Sequence, residues 1–136
     1  MKMLAAVLGL MLMLMAGAPI CVADDARPAA IHDVITRQLD AIKKDDAATA
    51  FAIASPTIQT MFGSPATFMS MVERGYPQIF RSIGHKFLNI DETGGLVRQR
   101  VLIESEKGSV IVRYEMIEID GHWRINGCMI ETVDEA

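Results

Sequence analysis

Two periods divide the chain. Ile31, Val34, Ile35, Leu39 and Ile42 recur with the spacing of one helix face, whereas from His85 onward apolar and polar residues alternate as they do along a strand. The first period predicts a helix over residues 24–44, capped by Asp24 or Asp25, with Lys43 and Lys44 where the helix dipole favours cations. Asp45-Asp46 breaks it and caps a second helix over 47–54. Ser55-Pro56 and Ser64-Pro65 each read as N-cap followed by N1, because serine accepts from a free backbone N–H and proline has none to leave unpaired. They start two more short helices, the second reaching about Arg74 and stopped by Gly75.

The second period predicts strands at 86–90, 96–105, 109–119 and 122–130. Asp120-Gly121 between the last two suits a two-residue turn with positive φ at both central positions. Pairing Ile119 with His122 then sets Met116 opposite Ile125, Tyr114 opposite Gly127 and Val112 opposite Met129 on an apolar face. Arg113 faces Cys128, and Glu115 faces Asn126, on the other side. Pairing Ser105 with Val110 puts Ile103, Val101 and Gln99 on the same apolar face. The first strand has two registers: a five-residue loop turns His85, Phe87 and Asn89 inward, and a four-residue loop turns Lys86, Leu88 and Ile90 inward. Helices followed by a curved antiparallel sheet of about four strands, covered on one face, make an α+β fold.

Residues 1–23 change the picture of where the chain works. Lys2, the apolar run from Met3 to Ala18 and the exit Cys21-Val22-Ala23 read as a secretory signal peptide cleaved after Ala23. The expectation is an exported domain, periplasmic or secreted, with no membrane contact once the signal is gone. A lipid anchor on Cys21 is the minority reading, because Ala18 and Ile20 stand where lipoprotein signals usually place Leu and a small residue. The 113 residues from Asp24 onward suit one domain with one core, and carry 12 basic against 17 acidic side chains. That balance gives no reason to expect nucleic acid as a partner. Cys128 is the one cysteine left, so an intramolecular disulfide is ruled out.

Candidate chemistry is sparse. His32, His85 and His122 form no H-x-H, H-x-x-x-H or Cys/His cluster, so no metal site and no cofactor are expected. Gln99 and Tyr114 attract attention because the register buries both, and a buried polar group needs a partner or a pocket. Tyrosine packs readily with its hydroxyl at a rim, and Trp123 reads as a core anchor. Gln99, Tyr114 and His85 are the candidate ligand-binding residues. On the opposite face Arg98, Arg100, Arg113 and Arg124 alternate with Glu104 and Glu115, Arg100 lying beside Glu115. Leu102, Ile111, Ile117, Ile119 and Ile130 share that face, a large apolar area to leave in water. Leu102, Ile111, Arg113, Ile117 and Ile130 are accordingly the candidate interface of a homodimer.

The Asp46 turn, the late Asp120-Gly121-His122-Trp123-Arg124-Ile125 and the order of elements resemble the nuclear-transport-factor-two-like, or ketosteroid-isomerase-like, superfamily with its cystatin-like cone. More narrowly, Gln38-Leu39-Asp40-Ala41 and Gly121 to Cys128 are similar to exported bacterial proteins grouped as domain of unknown function 4864, over residues 26–133. The resemblance implies a cavity between sheet and helices, where the superfamily's enzymes place an aspartate base and a tyrosine or second acid. Here no Asp or Glu falls on the inferred inner face of the three assigned strands before Glu118 and Glu131, at its rim. The expected function is therefore non-catalytic binding of a small apolar ligand or a protein partner. The alternatives are an isomerase- or dehydratase-type enzyme using the cavity, and a homo-oligomeric interaction module.

Overall fold

The computed structural model describes residues 26–131, so the signal-peptide reading and the chain after Glu131 lie outside the described residues. α1 spans Arg27–Lys43 and buries Ile31, Val34, Ile35, Gln38, Leu39, Ala41 and Ile42 along one stripe. Asp45 then takes a positive φ of 56°, and Asp46 caps α2 (Ala47–Ile53) by accepting from the Thr49 N–H at 3.2 Å. Both Ser-Pro pairs act as the sequence predicts. Ser55 accepts from the Ile58 N–H at the start of α3 (Pro56–Phe62), and Ser64 from the Thr67 N–H at the start of α4 (Pro65–Gly75). Gly63 closes α3 in the left-handed region that glycine reaches without a Cβ penalty. A one-turn helix, α5 (Pro77–Phe80), follows beyond the stop at Gly75.

Four strands complete the fold: β1 (Ser82–Thr93), β2 (Leu96–Ser105), β3 (Val110–Ile119) and β4 (His122–Glu131), in the antiparallel order β1-β2-β3-β4. The helices cover one face, and Val101, Ile103, Val112, Tyr114, Met116 and Ile125 join the buried residues of α1, α2, α4 and the one-turn α5 in a single core. Trp123 is half-buried against the same core. The chain is α+β, with helices on a four-stranded curved antiparallel sheet.

Three registers differ from the sequence reading. Ser105 turns the β2–β3 hairpin itself: its hydroxyl donates to the Gly108 carbonyl at 2.7 Å and accepts from the Lys107 N–H at 3.1 Å. Pairing therefore moves by two, to Gln99 with Tyr114 and Val101 with Val112, and the inner face keeps its residues. The β1–β2 hairpin turns on Gly94-Gly95, both at positive φ, so Thr93 meets Leu96 and β1 is longer than expected. A bulge between Phe87 and Ile90 then turns both of them onto the core, merging the two alternative registers.

The third difference matters most for the site. In the last hairpin Ile119 does pair with His122 and Met116 with Ile125, but Asn126 is an extra residue between Glu115–Gly127 and Met116–Ile125. Beyond it every side chain of β4 changes face relative to the expected register. Cys128 and Ile130 turn inward to pack on the core, while Met129 points outward and is 60% exposed. Ile130, placed by sequence on the outer face, is not there. No helix among the described residues is long and apolar enough to cross a membrane.

Candidate functional site

Strand alternation places Tyr114 on the inner face of β3, and the Asn126 bulge brings Cys128 directly opposite it. Tyr76, released as α4 ends, donates its hydroxyl to the Cys128 carbonyl at 2.9 Å. These three residues form one wall of a cavity of about 220 Å³ between the sheet and the helices. Ile58, Met61 and Phe62 of α3, Phe68, Met71 and Val72 of α4, and Gln38 and Ile42 of α1 line the rest. The Gln38 amide is turned to the backbone, donating to the Ala50 carbonyl at 3.2 Å. Among the described residues the lining contains no Asp, Glu, His, Lys or Arg.

Burial governs the electrostatics of that wall. It pushes the Tyr114 hydroxyl well above the ordinary tyrosine value, with smaller contributions from Cys128 and Tyr76, and raises Tyr76 in the same way. The Cys128 thiol is pushed up to about 12. All three groups are therefore uncharged at neutral pH, and Cys128 is a poor nucleophile there. The Tyr114 hydroxyl is buried and has no hydrogen-bond partner.

Gln99 lies elsewhere. Fully buried in β2, its amide nitrogen donates to the Leu88 carbonyl at 2.9 Å and the Arg100 carbonyl at 2.8 Å, so it pairs a backbone group that the β1 bulge leaves free. Its oxygen faces the His32 Nε2 at 3.0 Å. His32 stacks on Phe87 at 3.9 Å between ring centroids, and His85 meets the same ring edge-on while its Nε2 lies 3.4 Å from the Thr36 hydroxyl. Gln99 and His85 thus belong to one polar and aromatic cluster around Phe87, and neither lines the cavity that Tyr114 does.

On the outer face Arg98 approaches Glu115 at 4.0 Å, while Arg100 and Arg113 each come within 3.0 Å of Glu131. The Arg100 hydrogen bond holds the Glu131 carboxyl below the usual carboxylate range, helped by the charges of Arg100 and Arg113. Leu102 and Ile111 are half-buried, and Ile117 is 38% exposed. Among the described residues no group of three or more His, Cys, Asp or Glu could hold a metal ion.

A family model, Domain of unknown function (DUF4864), matches residues 24–136. The chain belongs to this family. No curated protein matches it. Among solved structures, the DUF4864 chain is similar to a Nostoc punctiforme protein of unknown function with a cystatin-like fold, at 15% identity and a TM-score of 0.52, over 79% of this chain and 92% of that one. It also matches Aln2 from a Streptomyces species at 16% identity and a TM-score of 0.49, over 76% and 88% of the two chains. The first likeness shows the cystatin-like fold.

Sequence reasoning misses most of this DUF4864 cavity. Strict alternation assigns Cys128 to the outer face, because it contains no signal for the Asn126 bulge. Tyr76 lies past the helix stop at Gly75, outside the elements read from the sequence, and Met71 and Phe62 sit on short helices whose packing direction their length does not reveal. Tyr114 is legible from its place on the apolar face of a strand, as are Ile42 and Ile125 from their periodicity.

Proposed function

We propose that this domain binds a small apolar molecule without transforming it. The observation that carries the reading is the cavity itself: about 220 Å³, walled mostly by aromatic and aliphatic side chains and, among the described residues, free of charged groups. Acid–base catalysis needs a group that exchanges protons near neutral pH. Tyr76, Tyr114 and Cys128 are all shifted away from that range. The binding reading is favoured over an isomerase or dehydratase for that reason.

The test is fluorescence titration of the purified protein with the neutral apolar probe N-phenyl-1-naphthylamine, beside a Met71→Trp variant that fills the cavity. Saturable binding by the wild type, lost in a variant that still melts cooperatively, is the expected result. Equal binding by the two proteins would move the probe, and the function, away from this cavity.

The outer sheet face supports a second reading, self-association. Leu102 and Ile111, paired across two strands, the exposed Met129 opposite Arg113, and Ile117 further along β3 lie on that face among the Arg100–Glu131–Arg113 ion pairs, and strand geometry bars these side chains from the core. A second copy laid across them would remove them from water and let arginines and glutamates pair across a two-fold axis.

A further inference from the structure

We infer that the cavity takes an uncharged molecule with an apolar body and a single hydrogen-bond acceptor, such as a ketone, ester or ether, with the Tyr114 hydroxyl donating to that acceptor. The inference rests on the binding reading above and carries it to the chemistry of the ligand.

Tyr114 is 1% exposed, lies on the cavity wall, and its hydroxyl has no hydrogen-bond partner. Buried hydroxyls are normally paired, and an unpaired one in the wall of a cavity is completed by whatever brings an acceptor to it. Neighbouring groups do not take that role. The Tyr76 hydroxyl directs its proton to the Cys128 carbonyl, and the Cys128 thiol, directly across the strand pair from Tyr114, is at most a weak partner. Among the described residues the wall therefore offers one unused O–H donor and no cation. A carboxylate or phosphate entering it would lose its hydration with no opposite charge to replace it, which is far more costly than burying a neutral carbonyl. Volume sets the scale: a dry cavity of roughly 150 Å³ holds benzene, so about 220 Å³ suits one or two small rings.

The experiment compares three compounds on one skeleton, benzophenone, diphenylmethane and diphenylacetate, by displacement of N-phenyl-1-naphthylamine from the wild type and from Tyr114→Phe. The variant keeps the ring, removes the orphan hydroxyl and is expected to melt no lower than the wild type. Benzophenone should bind about tenfold more weakly to Tyr114→Phe, the scale of one neutral hydrogen bond, with diphenylmethane unchanged within about twofold. Diphenylacetate should bind at least about a hundredfold more weakly than benzophenone to the wild type. The carbonyl carbon of 13C-labelled benzophenone should also move downfield on binding the wild type, a readout that needs no variant. Equal effects of Tyr114→Phe on benzophenone and diphenylmethane, or the absence of that shift, would overturn the anchor and leave the cavity reading standing. Tight binding of diphenylacetate would overturn the neutral ligand class. If the probe binds but none of the three displaces it, the ligand class fails alone. Failure of the probe itself to bind would remove the binding reading, and this inference with it.

Discussion

The side-chain oxygen of Gln99 lies 3.0 Å from the His32 Nε2, joining the second strand of the sheet to the first helix. Because the Gln99 amide nitrogen already donates to two backbone carbonyls, its oxygen must accept, and His32 must carry its proton on Nε2. Replacing Gln99 with Leu leaves buried carbonyls and an imidazole N–H unpaired together. The expected cost is about 2–4 kcal/mol in urea denaturation, from several unsatisfied groups at roughly 1–3 kcal/mol each. A loss of under about 1 kcal/mol, the scale of surface changes, would show that water replaces the clip.

Cys128 should be chemically quiet in the folded protein. Its pKa is raised by burial from 9.0 to about 12, so the folded state favours the protonated thiol. That contribution to stability is complete below about pH 9 and is lost as the pH rises through about 12. At pH 8 alkylation by iodoacetamide should run at least about a hundredfold slower than in the urea-unfolded chain, because the thiolate is the reactive form. Comparable rates would place the sulfur in water.

α3 should open before the rest of the fold. None of its seven residues is buried, Met61 is 66% exposed, and Gly63 at φ 78° ends it. Local opening is easiest where few apolar contacts resist it. Hydrogen exchange is expected to reach the amides of α3 well ahead of those of α1, and a bound apolar probe should slow α3 most. Simultaneous exchange of both helices would make α3 part of the global unfolding unit.

Ile117→Glu tests self-association. Ile117 is 38% exposed on the outer face, so a carboxylate there should split a dimer while leaving the core intact. Sedimentation at micromolar concentration should give a dimeric wild type and a monomeric variant that still melts cooperatively. A monomeric wild type would remove the second reading.

The amino terminus has its own measurement. Intact-mass analysis of protein from an exporting host should find a chain beginning at Asp24. A chain retaining Met1, or a lipid adduct on Cys21, would contradict export with cleavage after Ala23.

Legibility follows periodicity. The stripe from Ile31 to Ile42 announces the first helix, the two Ser-Pro pairs announce their caps, and Asp120-Gly121 fixes the end of the last hairpin, because each signal is local. The bulges are not local. The side chain of Asn126, the extra residue, is held by the Ser55 hydroxyl and the Glu115 carboxylate, at 2.7 and 3.1 Å, and Ser55 is 71 positions away along the chain. Cys128 meets Tyr114 only through that extra residue, so this part of the cavity is hidden in the sequence while the fold is plain. Gln99 misleads for a related reason. A buried amide signals a need for partners, and those partners are carbonyls freed by a kink that alternation does not foretell.

Every irregularity of pairing falls on an outer strand. The extra residues lie in β1 and β4, while β2 and β3 pair without interruption from Val97–Met116 to Ile103–Val110. A regular outer strand is a template on which a second chain can grow the sheet, hydrogen bond by hydrogen bond. Here such growth at β4 meets a kinked ladder at Asn126, and the nearby Ile125 carbonyl is already taken by the Ser55 N–H at 2.8 Å. The contortion that shapes the cavity thus also interrupts the margin of the sheet as a template for a further strand.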